Sequence, residues 1–344
     1  RRPPRSTLFP TRRSSDLASS RDLTIQSRSS IINDSGIIAA KNGSLTLSGG
    51  TISNGATGSI SAATQGSIVA ADTLSSDGSI QAGSALTVSA NNGITIGAKG
   101  QIIALSGPLF LDTTNGDLSN SGQIGTSDSG DVQLTATDAT NAGVIQAAGD
   151  LTANLSGNLS NSGQIMAVGG DLSVKASDVA TSGTLSSAAG AVTALIIDTL
   201  QNSGTIYGTT VTTLQTGGLL SNVNGQIGAG AGVITLSAAS LDNGTGKIIA
   251  SGNSISVISH EINNNSGIIQ GKDDVSLQTS SVDNRDGGSI FALSGDLSLK
   301  NPADDTLTVM NQGGQIEAGQ SLTLLASTYA GDAKSEIFGQ KNLS

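Results

Sequence analysis

The sequence predicts an all-β solenoid, a parallel β-helix of about fourteen coils with roughly 21 residues in each. Three observations predict it. Glycines heading a Gly-x-(Ile/Leu) triplet stand at Gly36, Gly58, Gly78, Gly100, Gly122, Gly143, Gly163, Gly183, Gly204, Gly225, Gly246, Gly267, Gly288 and Gly314. Their spacings run from 20 to 22 residues, with a single 26 before Gly314. Each period also holds short segments in which apolar and polar residues alternate, the mark of a strand with one buried face. Finally, 46 glycines, 2% aromatic residues and 12% charged residues leave too few bulky side chains for a wide core. They leave too little charge for charge-driven disorder.

Along the chain, residues 1–17 stand apart. They carry five of the sixteen basic residues and three of the five prolines. The segment lacks the apolar stretch of a secretory signal. Phe9 to Asp16, FPTRRSSD, resembles the translation of a sequencing adapter, so the segment is expected to be foreign and disordered, and the chain a fragment.

Residues 18–325 form the expected shaft. In LSNSGQIMAVGGDLSVKASDV, from Leu159, one coil contributes Leu-x-Asn, then Gly-x-Ile-x-Ala, then an apolar pair at Leu172 and Val174. Ile255 and Val257 make the same pair in a later coil. Gly, Asn and Ser are too frequent in every window for helices. Ile124, Ile145, Ile165, Leu185, Ile206 and Ile227 are expected to stack inward. At roughly 4.8 Å per coil the rod is about 65 Å long.

A second ladder consists of Asn120, Asn141, Asn161, Asn202, Asn222, Asn243, Asn264, Asn284 and Asn311, with Thr181 in the one gap. Stacked amides can bond each other and the backbone, so these residues read as architecture. The long spacing before Gly314 places an insertion at residues 301–306, NPADDT, expected to bulge as a loop. From residue 326 to 344 the pattern fades into a degenerate coil or frayed end.

The pattern Leu-x-Asn-x-x-Gly-x-Ile-x-Ala-x-Gly-x-Leu-x-Leu, in LSNSGQIMAVGGDLSVKA and LQNSGTIYG, resembles the repeats of filamentous haemagglutinins of the two-partner secretion pathway. The resemblance covers residues from about 22 to 325. It implies a right-handed β-helical shaft of a large adhesin, secreted to the Gram-negative cell surface through an outer-membrane transporter. It further implies host or neighbouring-cell receptors or glycans as partners. The stalk of a contact-dependent growth-inhibition toxin is the alternative it leaves open, and a β-helical polysaccharide-degrading enzyme is a remote third.

Composition narrows the chemistry. No cysteine is present, so disulfides and thiolate chemistry are excluded, and His260 alone cannot build a His-based metal cluster. Outside residues 1–17 there are 11 basic and 25 acidic residues, a net charge of −14 that opposes nucleic acid and anionic lipid. No apolar run is long enough to span a bilayer as a helix. No catalytic, cofactor-binding or metal-binding residue is expected, and no enzyme activity.

The individual candidates fit that reading. His260, in SVISHEINN, reads as an exposed residue at a turn leaving a strand. GTGKI at Gly244 to Ile248 fails the phosphate-loop pattern, with Leu241 and Ile248 where Gly and Ser/Thr are required. Asp131, Asp150 and Asp171 would stack close enough for a hard cation, but Gly-Asp pairs are ordinary turn chemistry. Asn-x-Ser/Thr triplets at Asn33, Asn42, Asn154, Asn158, Asn243, Asn264 and Asn342 are expected by chance at this Asn and Ser content.

Overall fold

The computed structural model describes residues 16–113, 115–303 and 306–343. The regular elements are β-strands paired in parallel, each with the strand one coil earlier and one coil later. Three stacks result. A glycine face starts just after each ruler glycine, as in Val144–Ala147, Gln164–Ala167 and Thr184–Ser187. A leucine face holds Leu151–Leu155, Leu172–Ala176 and Val192–Ile196. An asparagine face holds Leu159–Asn161, Val179–Thr181 and Leu200–Asn202. The winding is the right-handed one that crossovers between parallel strands take.

The glycine face has sixteen strands, so about fifteen turns separate its first from its last. Fourteen of these strands follow the ruler glycines. The other two, Leu17–Ser19 and Glu336–Gly339, follow Asp16 and Ser335, which the triplet pattern cannot find. Residues 1–15 lie outside the described residues, and so do 304–305 of the expected insertion. Strands at Thr328–Ala330, Glu336–Gly339 and Asn342–Leu343 continue all three faces through the stretch where the pattern fades.

One expectation needs amendment. At Ile234–Asp242 and Ile255–Asn263 the leucine and asparagine strands run together into single nine-residue strands, so these coils have two strands instead of three. His260 therefore lies within a strand, still exposed, and not at a turn. The corner that would have broken the strand is flattened, and the two strands pair with each other from Ile234↔Ile255 to Asp242↔Asn263.

The core is a set of vertical columns. Ile124, Ile145, Ile165, Leu185, Ile206 and Ile227 stack in register and are at most 1% exposed. Each such side chain contributes on the order of 1.5–3 kcal/mol by leaving water. Two residues on, where faces converge, the inward column is small: Ala147, Ala167, Ser187, Gly208, Ala229 and Ala250. Ser187 is tolerated because its hydroxyl donates to the Gly170 carbonyl at 2.6 Å and accepts from the Gly190 N–H at 2.7 Å.

Candidate functional site

The asparagine ladder is structural in geometry as well as in pattern. Asn202 Nδ2 donates to Asn222 Oδ1 at 2.7 Å and to the Gln226 carbonyl at 3.1 Å. The same pair of bonds recurs at Asn120, Asn141, Asn222, Asn243, Asn264 and Asn284. All these asparagines are buried, so none faces a ligand. The ladder also extends further toward the N-terminus than the sequence revealed. Asn33 donates to Asn54 at 2.8 Å and Asn54 to Ser76 at 3.2 Å, before Ile96 interrupts the column ahead of Asn120. Asn33, Asn243 and Asn264 are thereby removed as acceptors of an N-linked sugar, whereas Asn42, Asn154, Asn158 and Asn342 are exposed.

The ruler glycines serve this ladder. A Cβ on Gly246 would collide with the Asn222 carbonyl and the Asn243 side chain, and the other ruler glycines from Gly225 to Gly314 face the same obstruction. Glycine is required there by close approach and not by its backbone angles.

Asp131, Asp150 and Asp171 do stack, but each carboxylate caps the backbone of the next coil. Asp131 Oδ1 accepts the Asp150 N–H at 2.9 Å, Asp150 Oδ1 accepts the Asp171 N–H at 2.8 Å, and Asp171 Oδ1 accepts the Ala191 N–H at 2.7 Å. Asp22, Asp138, Asp178, Asp274 and Asp296 do the same for Ser44, Asn158, Thr199, Asp296 and Ser321. Among the described residues no group of three or more His, Asp or Glu side chains is placed to hold a metal.

The remaining candidates are likewise occupied. Ser280 Oγ lies 3.2 Å from His260 Nδ1, but its hydroxyl is also 2.6 Å from the His260 carbonyl, an arrangement that ties two coils together. In the GTGKI corner the Gly246 and Lys247 N–H groups bond to the Asn243 and Gly225 carbonyls, so no anion cradle is open. At the insertion, Asn301 Nδ2 donates to Thr306 Oγ1 at 3.1 Å. No helix among the described residues is long and apolar enough to cross a membrane.

What the shaft does offer is its outer surface. Along the leucine face, the second outward column reads Thr24, Thr46, Ser67, Thr87, Phe110, Gln133, Thr152, Ser173, Thr193, Thr213, Thr235, Ser256, Ser276, Ser298 and Thr323. Thirteen of these fifteen residues carry a hydroxyl. The outward column two residues on, in the same strands, has four: Ser48, Ser89, Thr135 and Ser237. Strand propensity acts equally on both columns, so it cannot produce the difference. The thirteen side chains are exposed or half-buried, and none has a hydrogen bond within the described chain. The surface recesses beside these columns are open and small, between 170 and 340 Å³.

The repeat geometry has a counterpart among known families. The haemagglutinin repeat family matches residues 10–50, 42–102, 104–165, 229–301 and 292–328, about three quarters of the chain. The chain belongs to the haemagglutinin repeat family. No curated protein and no solved structure matches it. Residues 166–228, between two of the matches, continue the haemagglutinin repeat with the same three faces and the same asparagine column. Haemagglutinin repeats build structural and adhesive surfaces of secreted or cell-surface proteins. The closed polar ladders and the open outer columns of this chain accord with such a role.

Proposed function

We propose that this haemagglutinin-repeat chain is the shaft of a large adhesin, exported by two-partner secretion through an outer-membrane transporter and displayed on the Gram-negative cell surface. Adhesion is lateral: the shaft lies along its target and contacts it through many weak, equivalent groups. The observation that carries this reading is the column of thirteen unpartnered hydroxyls on the leucine face, contrasted with the mixed column beside it. Repeated shallow contacts gain avidity without a deep pocket. The receptors that suit it are cell-surface groups rich in hydrogen-bond donors and acceptors, glycans foremost.

The test is distributive. Fluorescent shaft is bound to epithelial cells and to bacterial cells, and hydroxyls are replaced by alanine in blocks of three or four along the column. Each block is expected to weaken binding by a similar factor, whichever end it occupies. A single block that abolishes binding, or blocks without effect, would refute lateral multivalent contact.

A further inference from the structure

The outward column of the glycine face holds Phe291, Glu317 and Phe338 in three successive coils, in direct register. In a chain with four phenylalanines, two thus flank one carboxylate. The cleft they border has a volume of about 240 Å³ and is also lined by Leu293 and Gln340. Phe338 and Leu293 are 53% and 55% exposed. Glu317 is half-buried between the rings and has neither a hydrogen-bond nor an ion-pair partner among the described residues. Lys341, in the same coil as Phe338, donates to Gln320 Oε1 at 2.8 Å.

We infer that Phe291, Glu317 and Phe338 form a binding site for an organic cation of the quaternary ammonium type. Two coils separate the rings, roughly 10 Å at the interstrand spacing. Glu317 stands between them in the column, about 5 Å from each by the same spacing, so a cation resting on its carboxylate lies within reach of the ~6 Å range over which an aromatic face attracts positive charge. Glu317 supplies the opposite full charge, and Leu293 supplies apolar contact. A small inorganic cation would keep its water and gain little from the phenyl rings. An ammonium whose charge is spread under methyl groups gains from rings, Leu293 and carboxylate together.

The shaft is titrated with choline chloride and, separately, with its neutral isostere 3,3-dimethylbutanol, following the aromatic NMR signals of Phe291 and Phe338. Choline is expected to shift both signals saturably in the millimolar range, with the isostere at least tenfold weaker. Glu317→Gln should weaken choline binding at least fivefold, and Phe291→Leu and Phe338→Ala should each do the same. Because Phe338→Ala touches the last described coil, Phe291→Leu provides the readout if that coil loosens. Absence of saturable shifts, or equal affinity for choline and its neutral isostere, would overturn the assignment. Unchanged affinity in Phe291→Leu would do so equally. Co-sedimentation with phosphatidylcholine vesicles, set against phosphatidylglycerol vesicles, separates a lipid headgroup from a soluble source of the same cation.

Discussion

Asn264 Nδ2 donates to Asn284 Oδ1 at 2.7 Å, and both side chains are fully buried. The same nitrogen donates to the Ser289 carbonyl at 3.1 Å, so the side chain ties together both its neighbouring coil and the following strand. Replacing Asn264 by alanine removes one of the acceptors of Asn243 Nδ2 and leaves the Oδ1 of Asn284 without its donor, and is expected to cost roughly 1–3 kcal/mol. Asn264→Asp should cost more, because it buries a charge that cannot donate. Thermal melting of the shaft measures both.

Thr181 accepts from Asn161 at 3.1 Å but passes no side-chain bond on to Asn202, leaving a step in the ladder. Thr181→Asn would close the step. A gain of about 0.5–1.5 kcal/mol is expected, and a melting temperature unchanged or lowered would show that the corner cannot seat the longer side chain.

Thr245 has a φ of 61°, in the left-handed region, together with Asn224, Ser266 and Asp286 at the equivalent corners. A β-branched residue is the least suited of the four to that conformation. Thr245→Gly is expected to stabilise by about 0.5–1 kcal/mol, and Asn224→Gly to change little, since Asn tolerates this region. Denaturant midpoints of the two variants provide the comparison.

The aspartate caps predict a graded response. Asp171→Ala frees the Ala191 N–H and should destabilise by roughly 0.5–1.5 kcal/mol, while Asp171→Asn retains the accepting oxygen and most of the stability. Calcium is expected to produce no calorimetric heat and no shift in melting, because the stacked carboxylates already serve the backbone.

Asp283 and Arg285 form a two-pronged ion pair, with Arg285 Nε and Nη2 donating to the carboxylate at 2.8 and 2.7 Å. The side-chain hydrogen bond from Arg285 holds the Asp283 carboxyl below its usual range. A carboxyl lowered in the folded state adds stability above its unfolded value, near about 3.9, and that stability is lost as pH falls through the folded value. Asp283→Asn should therefore lower the melting temperature slightly at neutral pH, and by progressively less as the pH falls through the folded value. The effect is small because the pair is partly exposed and screened.

Much of this architecture is legible in one dimension because the period is rigid. Ile145, Ile165 and Leu185 fall inward for the same reason that Gly143, Gly163 and Gly183 keep their spacing, since a slip of one residue would turn the strand inside out. Asn33 and Asn54 are not legible as ladder members in the sequence, because Ser76 and Ile96 break the asparagine pattern between them and Asn120. The aspartate caps were hidden because a cap and an ordinary turn residue look alike until the next coil is laid on top. The hydroxyl column left no trace because outward positions are defined only by register, and nothing in the apolar alternation distinguishes Thr193 from Leu195. Phe291, Glu317 and Phe338 meet across intervals of 26 and 21 residues, which only the insertion near residue 301 reconciles.

Every amide in the asparagine column points its N–H toward the later coil, from Asn120 to Asn141 and on to Asn161, and from Asn202 through Asn284 to Asn311. The column is thus a vector. A finished coil offers a donor and awaits an acceptor, which the next coil brings as it closes. Winding from either side leaves half of the newest amide open, its N–H when coils are added on the C-terminal side and its oxygen when they are added on the N-terminal side. Each coil therefore presents a donor on one side and an acceptor on the other, so this column accepts a neighbouring coil only head to tail.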